Sequence, residues 1–466
     1  MIRIRLSLCV LMAIGVFSFS SATNGYQLIG VGANQKSMAG AVTAHPMDPM
    51  TAVSNPAGMA RIGHRADFSM EAFLPVRSVD FSNNGGERTE GGSEMYGIPS
   101  IGWVASAFNT EDMFFGGGMY ATSGLGVDYG QSVYMPGIAL DQMAGAPSGT
   151  FQDVTFDGYS GIQFWKMAPT LAWNATQSLS LGFSINVDYQ SVTIRQAIRN
   201  VPFWNNPLDP TAGLSQMDVR FDLGRPTSQF GYGATVGLLY DLHPMVTVGT
   251  SYVTKQNFSD AEFRVGTGDV MNFNGATGVP GIYMMDLDFP QMASIGLAVR
   301  LFPQLLVDFD LKWINWSNTH DEVDFKGPDN AFDTNGDGIG DAAHTVLNFG
   351  WDDQTVFAVG VQYQAMDDLT IRAGYNFAEA PIDEEDVFNN LILPATVEQH
   401  VTAGLHYFLG DHWGIGSTVM IASEKEVEGN EDVPAGFQQL TPFSSDSGAK
   451  IALKETSLDL QLSYRF

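Results

Sequence analysis

The chain has 466 residues and a formal net charge of -29, from 51 acidic against 22 basic side chains. That balance excludes nucleic acid as a partner, since phosphates are bound through lysine and arginine, and it opposes attraction to an anionic lipid surface. Charged residues make up 16%, hydrophobic residues 44% and aromatic residues 12%. This is fewer charges than a soluble domain carries and too much apolar content for a disordered chain.

The opening stretch MIRIRLSLCVLMAIGVFSFSSA places Arg3 and Arg5 ahead of an apolar run from Leu6 to Phe19, followed by the small residues Ser20 and Ala22. Residues 1 to 22 therefore read as an export signal cleaved before Thr23. The run is shorter than the ~20 residues a spanning helix needs. Cys9, the one cysteine, lies inside it, so the processed chain has neither disulfide nor thiol chemistry. Residues 23 to 63 show no alternation; they are rich in small residues and punctuated by Pro46, Pro49 and Pro56. About 40 residues cannot build a domain alone, but inside a barrel they can plug it.

From residue 64 to 466 the pattern changes to a period of two. SLSLGFSINVDYQ sets Leu179, Leu181, Phe183, Ile185 and Val187 against Ser180, Ser184, Asn186 and Asp188. The last ten residues, SLDLQLSYRF, set Leu458, Leu460, Leu462 and Tyr464 against Ser457, Asp459, Gln461 and Ser463. Such segments are strands with one greasy face. They fall near residues 64–80, 98–109, 112–127, 161–174, 178–194, 227–241, 244–264, 289–302, 304–318, 354–365, 368–380, 395–409, 411–424 and 448–466. Connections alternate between very short (LHP, FPQ, MDD, GD) and long, as periplasmic turns and external loops do in outer-membrane barrels. The expectation is an all-β fold: a 14-stranded antiparallel transmembrane β-barrel with an N-terminal hatch in its lumen. The acidic runs DEEDVF and EKEVEGNED belong to the long loops and read as solvated surface.

Several stretches together resemble the FadL and TodX family of outer-membrane transporters for long-chain fatty acids and other hydrophobic compounds. They are NGYQL and SNPAGMARIG near the N-terminus, then MAPTLAWNATQSLSLGFSINVDY, FGYGATVGLLYDL, FPQMASIGLAVRLFPQLLVDFDLKWINWSN and LPATVEQHVTAGLHY. The resemblance implies a monomeric barrel in the outer membrane of a Gram-negative bacterium, with a kinked third strand opening sideways to lipid. It places Tyr26 as a hatch aromatic near ligand, Asn55, Pro56 and Ala57 as the hatch signature, and Gly124 at the kink. A structural role for Asn55 in a turn stays open beside ligand contact. The external apolar groove it implies would draw on Met135, Leu140, Met143 and Phe151 of one loop and Phe203 and Trp204 of another. A loop core capping the barrel is the alternative use of the same residues.

A fatty-acid carboxylate calls for a basic partner. Arg195 lies near a basic position of the family, and alternation turns Lys312 and Arg372 inward, where an inward carboxylate could equally pair with them. Asp352 and Asp353 stand where fatty-acid members carry a basic residue, so a neutral hydrocarbon remains open as substrate. DTNGDGIGD offers Asp333, Asn335, Asp337, the Ile339 carbonyl and Asp341 at the spacing of a calcium loop, with His344 in place of the closing glutamate. Structural calcium in an external loop and a plain Asp/Gly turn are both compatible with it. No Gly-x-Ser-x-Gly elbow is present and the eight histidines are scattered, which argues against an enzyme such as a lipase. A general porin or adhesin is the remaining alternative.

Overall fold

The computed structural model describes residues 24–92, 95–206, 208–209, 213–267, 278–334 and 339–466. The export signal expected at residues 1 to 22 lies outside them. Among the described residues fourteen antiparallel strands close on themselves: β1 (Arg65–Asp80), β2 (Tyr96–Ser106), β3 (Met113–Met135), β4 (Val154–Met167 and Thr170–Asn174), β5 (Leu179–Trp204), β6 (Leu214–His243) and β7 (Val246–Val253), then β8 (Met292–Phe302), β9 (Leu305–Ile314), β10 (Gln354–Gln364), β11 (Leu369–Phe377), β12 (Gln399–Leu409), β13 (Trp413–Glu428) and β14 (Lys450–Arg465). The closing pair is β1 with β14, in continuous register from Arg65 opposite Arg465 to Asp80 opposite Lys450. Closure leaves no sheet edge and satisfies the strand backbone internally, the condition for crossing hydrocarbon.

Burial along β14 shows which face meets what. Leu458, Leu460 and Leu462 are 45%, 56% and 45% exposed, whereas Ser457, Asp459, Gln461 and Ser463 are at 0%, 1%, 1% and 0%. A soluble sheet would show the reverse, so the apolar face is the lipid face. No helix among the described residues is long and apolar enough to cross a membrane; the strands do it.

Two features depart from the sequence expectation. β3 to β6 run far beyond the apolar alternation, to Met135, from Val154, to Trp204 and from Leu214, because their outer ends pair with each other above the membrane, where no lipid imposes alternation. The segment expected as one strand over 244–264 is divided: β7 ends at Val253, and Ala261–Val265 joins Gly281–Met285, Glu322–Lys326 and His344–Asn348 in a separate four-stranded external sheet.

The hatch fills the lumen with short helical turns over Gly32–Lys36, Thr51–Ser54 and Pro56–Ala60. Inward polar side chains of the wall hold it. Asp310 Oδ2 accepts the backbone N–H groups of Val42 and Thr43, each at 2.9 Å; Thr418 donates to the Ala33 carbonyl at 2.6 Å; Arg65 donates to the Met47 carbonyl at 2.8 Å. Lys36 is fully buried between Glu71 and Asp459. Burial alone would lower its pKa, yet the two carboxylates hold it above the ordinary lysine range.

Candidate functional site

The wall is incomplete at one place. β2 and β3 pair from Ser106 opposite Phe114 up to Ser100 opposite Tyr120 and then part. Beyond that point Tyr96–Pro99 stays with β1, while β3 continues with β4 after a register shift between Ala121 and Ser123 and meets Gly92 and Glu87 only farther out, at Asp128 and Val133. The hatch takes up the freed backbone groups of β3. Leu28 N–H donates to the Thr122 carbonyl at 3.0 Å and Gly124 N–H donates to the Tyr26 carbonyl at 3.1 Å. A cavity of about 260 Å³ sits in this gap, bordered by Tyr26, Leu28, Phe73, Tyr96, Gly124 and Ile162 among others. Gly124 is thus at the kink, but not for want of space: a Cβ there would stand 3.4 Å from the Ile162 carbonyl oxygen. Its backbone N–H, given to the hatch, is the working group.

On the other side of Tyr26 lies an aromatic cage. The Tyr26 ring is 4.9 Å from Trp316 and 5.8 Å from both Phe289 and Trp351, centroid to centroid. These geometries are edge-on or tilted, the favourable arrangements for aromatic quadrupoles. The Tyr26 hydroxyl and His320 Nε2 are 2.8 Å apart, and His320 Nδ1 is 2.8 Å from the Thr319 hydroxyl. Trp316 Nε1–H donates to Gln354 at 2.9 Å and Trp351 Nε1–H to Asn390 at 2.8 Å. Each polar atom of the four ring systems that meet at Tyr26 and His320 therefore has a protein partner. Burial pushes the His320 imidazole down to about 3 and the Tyr26 phenol up, so the cage is uncharged at neutral pH. The adjoining space, bordered by Leu125, Ile162, Ile194, Leu287, Phe349 and Leu393 together with Tyr26, His320, Met285 and Trp351, has no Lys or Arg in its lining among the described residues, and the side chains leave only about 10 Å³ between them.

The remaining sequence candidates divide. Asn55 is 1% exposed; its Oδ1 accepts the Ala57 N–H at 3.2 Å and its amide donates to the carbonyls of Thr43 at 2.7 Å and Leu238 at 3.1 Å. With Pro56 and Ala57 it starts the Pro56–Ala60 turn and pins the hatch base to β6, apart from the cavities beside Tyr26. Arg372 donates to Gln362 at 2.7 Å and to Asn34 of the hatch at 2.8 Å. Arg195 points outward, is 44% exposed and pairs with Asp157 at 3.3 Å. Lys312 borders a chamber of about 50 Å³ between hatch and wall, together with Lys166, which is itself paired with Asp188 at 2.9 Å. Met135 and Leu140 are buried in the loop core and Phe151 packs against it, whereas Met143 and its neighbour Ile138 are 55% and 50% exposed; Phe203 and Trp204 are half-buried at the end of β5. The loop is thus partly a core and partly an exposed apolar strip. Of the calcium-loop candidates, Asn335 and Asp337 lie outside the described residues; Asp341 accepts the Thr334 N–H at 3.0 Å and its hydroxyl at 2.8 Å, Ile339 is exposed, and Asp333 directly precedes Thr334 and is half-buried.

Trp316, His320, Trp351 and Phe289 were not singled out by the sequence as ligand-facing. The sequence signal nearest to them is the Trp-Ser pair at Trp316 and Ser317, inside the stretch FPQMASIGLAVRLFPQLLVDFDLKWINWSN that carries part of the family resemblance.

Comparison with known proteins agrees with this architecture. A family model described as outer membrane protein transport protein (OMPP1/FadL/TodX) matches residues 16–466. A search of curated proteins returns no match. Among solved structures, the Pseudomonas putida toluene transporter TodX is similar with a TM-score of 0.67 at 19% identity, over 94% of this chain and 99% of that one. The Ralstonia pickettii toluene transporter TbuX gives 0.64 at 19% identity, over 94% and 99%, and a Pseudomonas aeruginosa FadL homologue 0.68 at 14% identity, over 95% and 100%. The lipid-facing strands, the lumenal hatch and a family match over almost the whole sequence lead to one conclusion: the chain belongs to the OMPP1/FadL/TodX family of outer-membrane transport proteins.

Proposed function

We propose that the protein takes up neutral hydrophobic small molecules, aromatic hydrocarbons foremost, passively across the outer membrane. The observation that carries this reading is the cage around Tyr26: tilted and edge-on rings, a neutral imidazole and, among the described residues, a lining without lysine or arginine. A carboxylate placed there would be desolvated with no cation to pair it, a large penalty, whereas an apolar ring or chain gains about 0.8 kcal/mol per buried CH₂. The basic residues that could serve a fatty acid have other commitments, Arg372 to Gln362 and the hatch, Arg195 to Asp157. That two similar structures are toluene transporters favours the same class.

In this reading a molecule adsorbs on the exposed apolar strip at Ile138 and Met143, enters the cage from the loop side, and leaves past Tyr26 through the gap between β2 and β3. Long-chain fatty acids are the second reading, supported by the FadL homologue among the similar structures and by Lys312 in the chamber below the cage. Quenching of tryptophan fluorescence, with Trp316 and Trp351 in the cage, tests the choice. A monoaromatic hydrocarbon should quench saturably and displace any bound lipid found by mass spectrometry of the purified protein. Tighter binding of a long-chain carboxylate than of the hydrocarbon would reverse the assignment.

A further inference from the structure

The hatch touches the wall in an unusual way. On β5 and β6, Gly182 and Gly237 face each other across the strands, and a Cβ on either would come within 3.0 Å of hatch atoms, Ala57 N for the first and Pro56 Cδ for the second. The next strands repeat the device: Gly249 of β7 lies opposite Gly296 of β8, and their added carbons would meet the main chain of Thr43 and Ala44. Gly360 of β10 lies opposite Gly374 of β11, under Met38 and Ala39. Gly404 on β12 and Gly102 on β2 continue the series, against Ser37 and Pro49.

Glycine weakens a strand and offers lipid nothing to pack, so strand formation does not account for its recurrence at the hatch contacts of eight strands. Close approach of another backbone does. Each opposed pair makes a flat pad on which the hatch rests closely, by main chain at Gly182, Gly249 and Gly374 and by the Asn55, Pro56 and Met38 side chains at Gly237 and Gly360. Polar side chains of the wall add to this hold, on strands with a pad, as Ser184 of β5 does with Ala52 and Asn376 of β11 with Ala39, and on strands without one, as Asp310 of β9 does with Val42 and Thr43 and Thr418 of β13 with Ala33. The Asn24–Leu28 strip differs: it rests on the kinked part of β3 through two backbone hydrogen bonds.

We propose that the glycine pads are the ion seal of the barrel. They keep the hatch body seated throughout transport, so that only the Asn24–Leu28 strip has to move for a substrate to pass. The inference rests on the uptake reading above for its second half only; the seal itself does not.

The test has two arms. In planar bilayers the refolded wild type should be nearly silent. Gly182→Ala, Gly249→Ala and Gly374→Ala, each verified as a folded barrel by its heat-dependent gel mobility, should show at least ~10-fold more conductance. Gly130→Ala, at a β3 position where an added carbon meets open space, should stay silent. Folded variants as silent as wild type would overturn the seal. If an alanine variant does not fold, the second arm stands alone: Ala52→Cys with Ser184→Cys, placed where Ser184 now donates to the Ala52 carbonyl at 3.1 Å and verified as a disulfide by loss of free thiol on oxidation, locks the hatch body to β5. Uptake of a radiolabelled monoaromatic should be equal in the oxidised and reduced forms. Loss on oxidation alone would show that the hatch body has to move and would overturn the proposal, whereas absence of uptake in both forms and in wild type would refute the uptake reading instead.

Discussion

Tyr26 is the partition between the cage and the lateral cavity, since its side chain borders both. Two substitutions separate its two jobs. Tyr26→Phe keeps the ring against Trp316, Phe289 and Trp351 but leaves His320 Nε2, now 2.8 Å from the hydroxyl, buried without a partner. An orphaned buried group costs ~1–3 kcal/mol, which raises the open fraction of the strip by roughly 5- to 160-fold. Tyr26→Ala also removes the ring, a truncation worth ~3–5 kcal/mol at a closely packed site, and with it one wall of the cage. The phenylalanine variant should therefore bind a monoaromatic with near wild-type affinity and release it faster, while the alanine variant should fail to capture it. Stopped-flow tryptophan quenching in detergent gives affinity and off-rate, and uptake into whole cells gives flux. A Tyr26→Phe protein with wild-type off-rate and flux would refute the partition role, however strongly Tyr26→Ala is impaired.

The same pair predicts a pH dependence. His320 is held at about 3 by burial, below the ~6.5 of an exposed imidazole, so the closed cage is fully stable above pH ~6.5 and loses stability as pH falls toward 3, by up to ~4–5 kcal/mol at the end of that window. Off-rates should accordingly rise below pH ~6, and a His320→Gln variant should flatten the profile. At the kink, Gly124→Ala should be tolerated within twofold in uptake, because its Cβ makes only ordinary contact, whereas Gly124→Leu should fill the lateral cavity and depress uptake by an order of magnitude without lowering the unfolding temperature of the barrel. Outside the membrane, a groove of about 690 Å³ is lined by Asp352, Asp353, Asp383, Glu384, Glu398 and Glu426, with Lys425 its one cation among the described residues. Uptake of a neutral hydrocarbon should be indifferent to ionic strength between ~0.01 and ~1 M, while any uptake of a long-chain carboxylate should rise with salt as that field is screened.

The barrel was readable because lipid enforces a rule on every second residue: Leu458, Leu460 and Leu462 could not be exchanged with Asp459 or Gln461 without putting charge into hydrocarbon. Where lipid ends, so does the rule. The outer ends of β3 to β6 pair as strands although SVYM and RNVPFW lack the alternation, while in DVRFDL the alternating Val219, Phe221 and Leu223 are buried in a core. The external sheet joins five-residue pieces up to eighty residues apart, and nothing local announces such pairing. Tyr26 was reached through resemblance, but its partners Phe289, Trp316, His320 and Trp351 follow no common period and lie about 300 residues away. Their meeting is a property of the closed barrel.

Alternation also has a limit in what it says of the interior. A polar inward face is common to a water-filled pore and to a plugged one, so Asp310, Thr418 and Arg65 read equally well as channel lining. In the folded protein they are bound to hatch peptide groups, Asp310 to Val42 and Thr43, Thr418 to Ala33, Arg65 to Met47. The inward glycines distinguish the two cases. A water-filled lumen gives no reason to remove side chains from Gly182, Gly237, Gly249 and Gly296, whereas a main chain lying on the wall requires it, since a Cβ at each would come within 3.0 Å of another atom. Glycines on the polar face of opposed strands, in a barrel preceded by a small-residue segment such as 23 to 63, therefore carry the information that the alternation lacks.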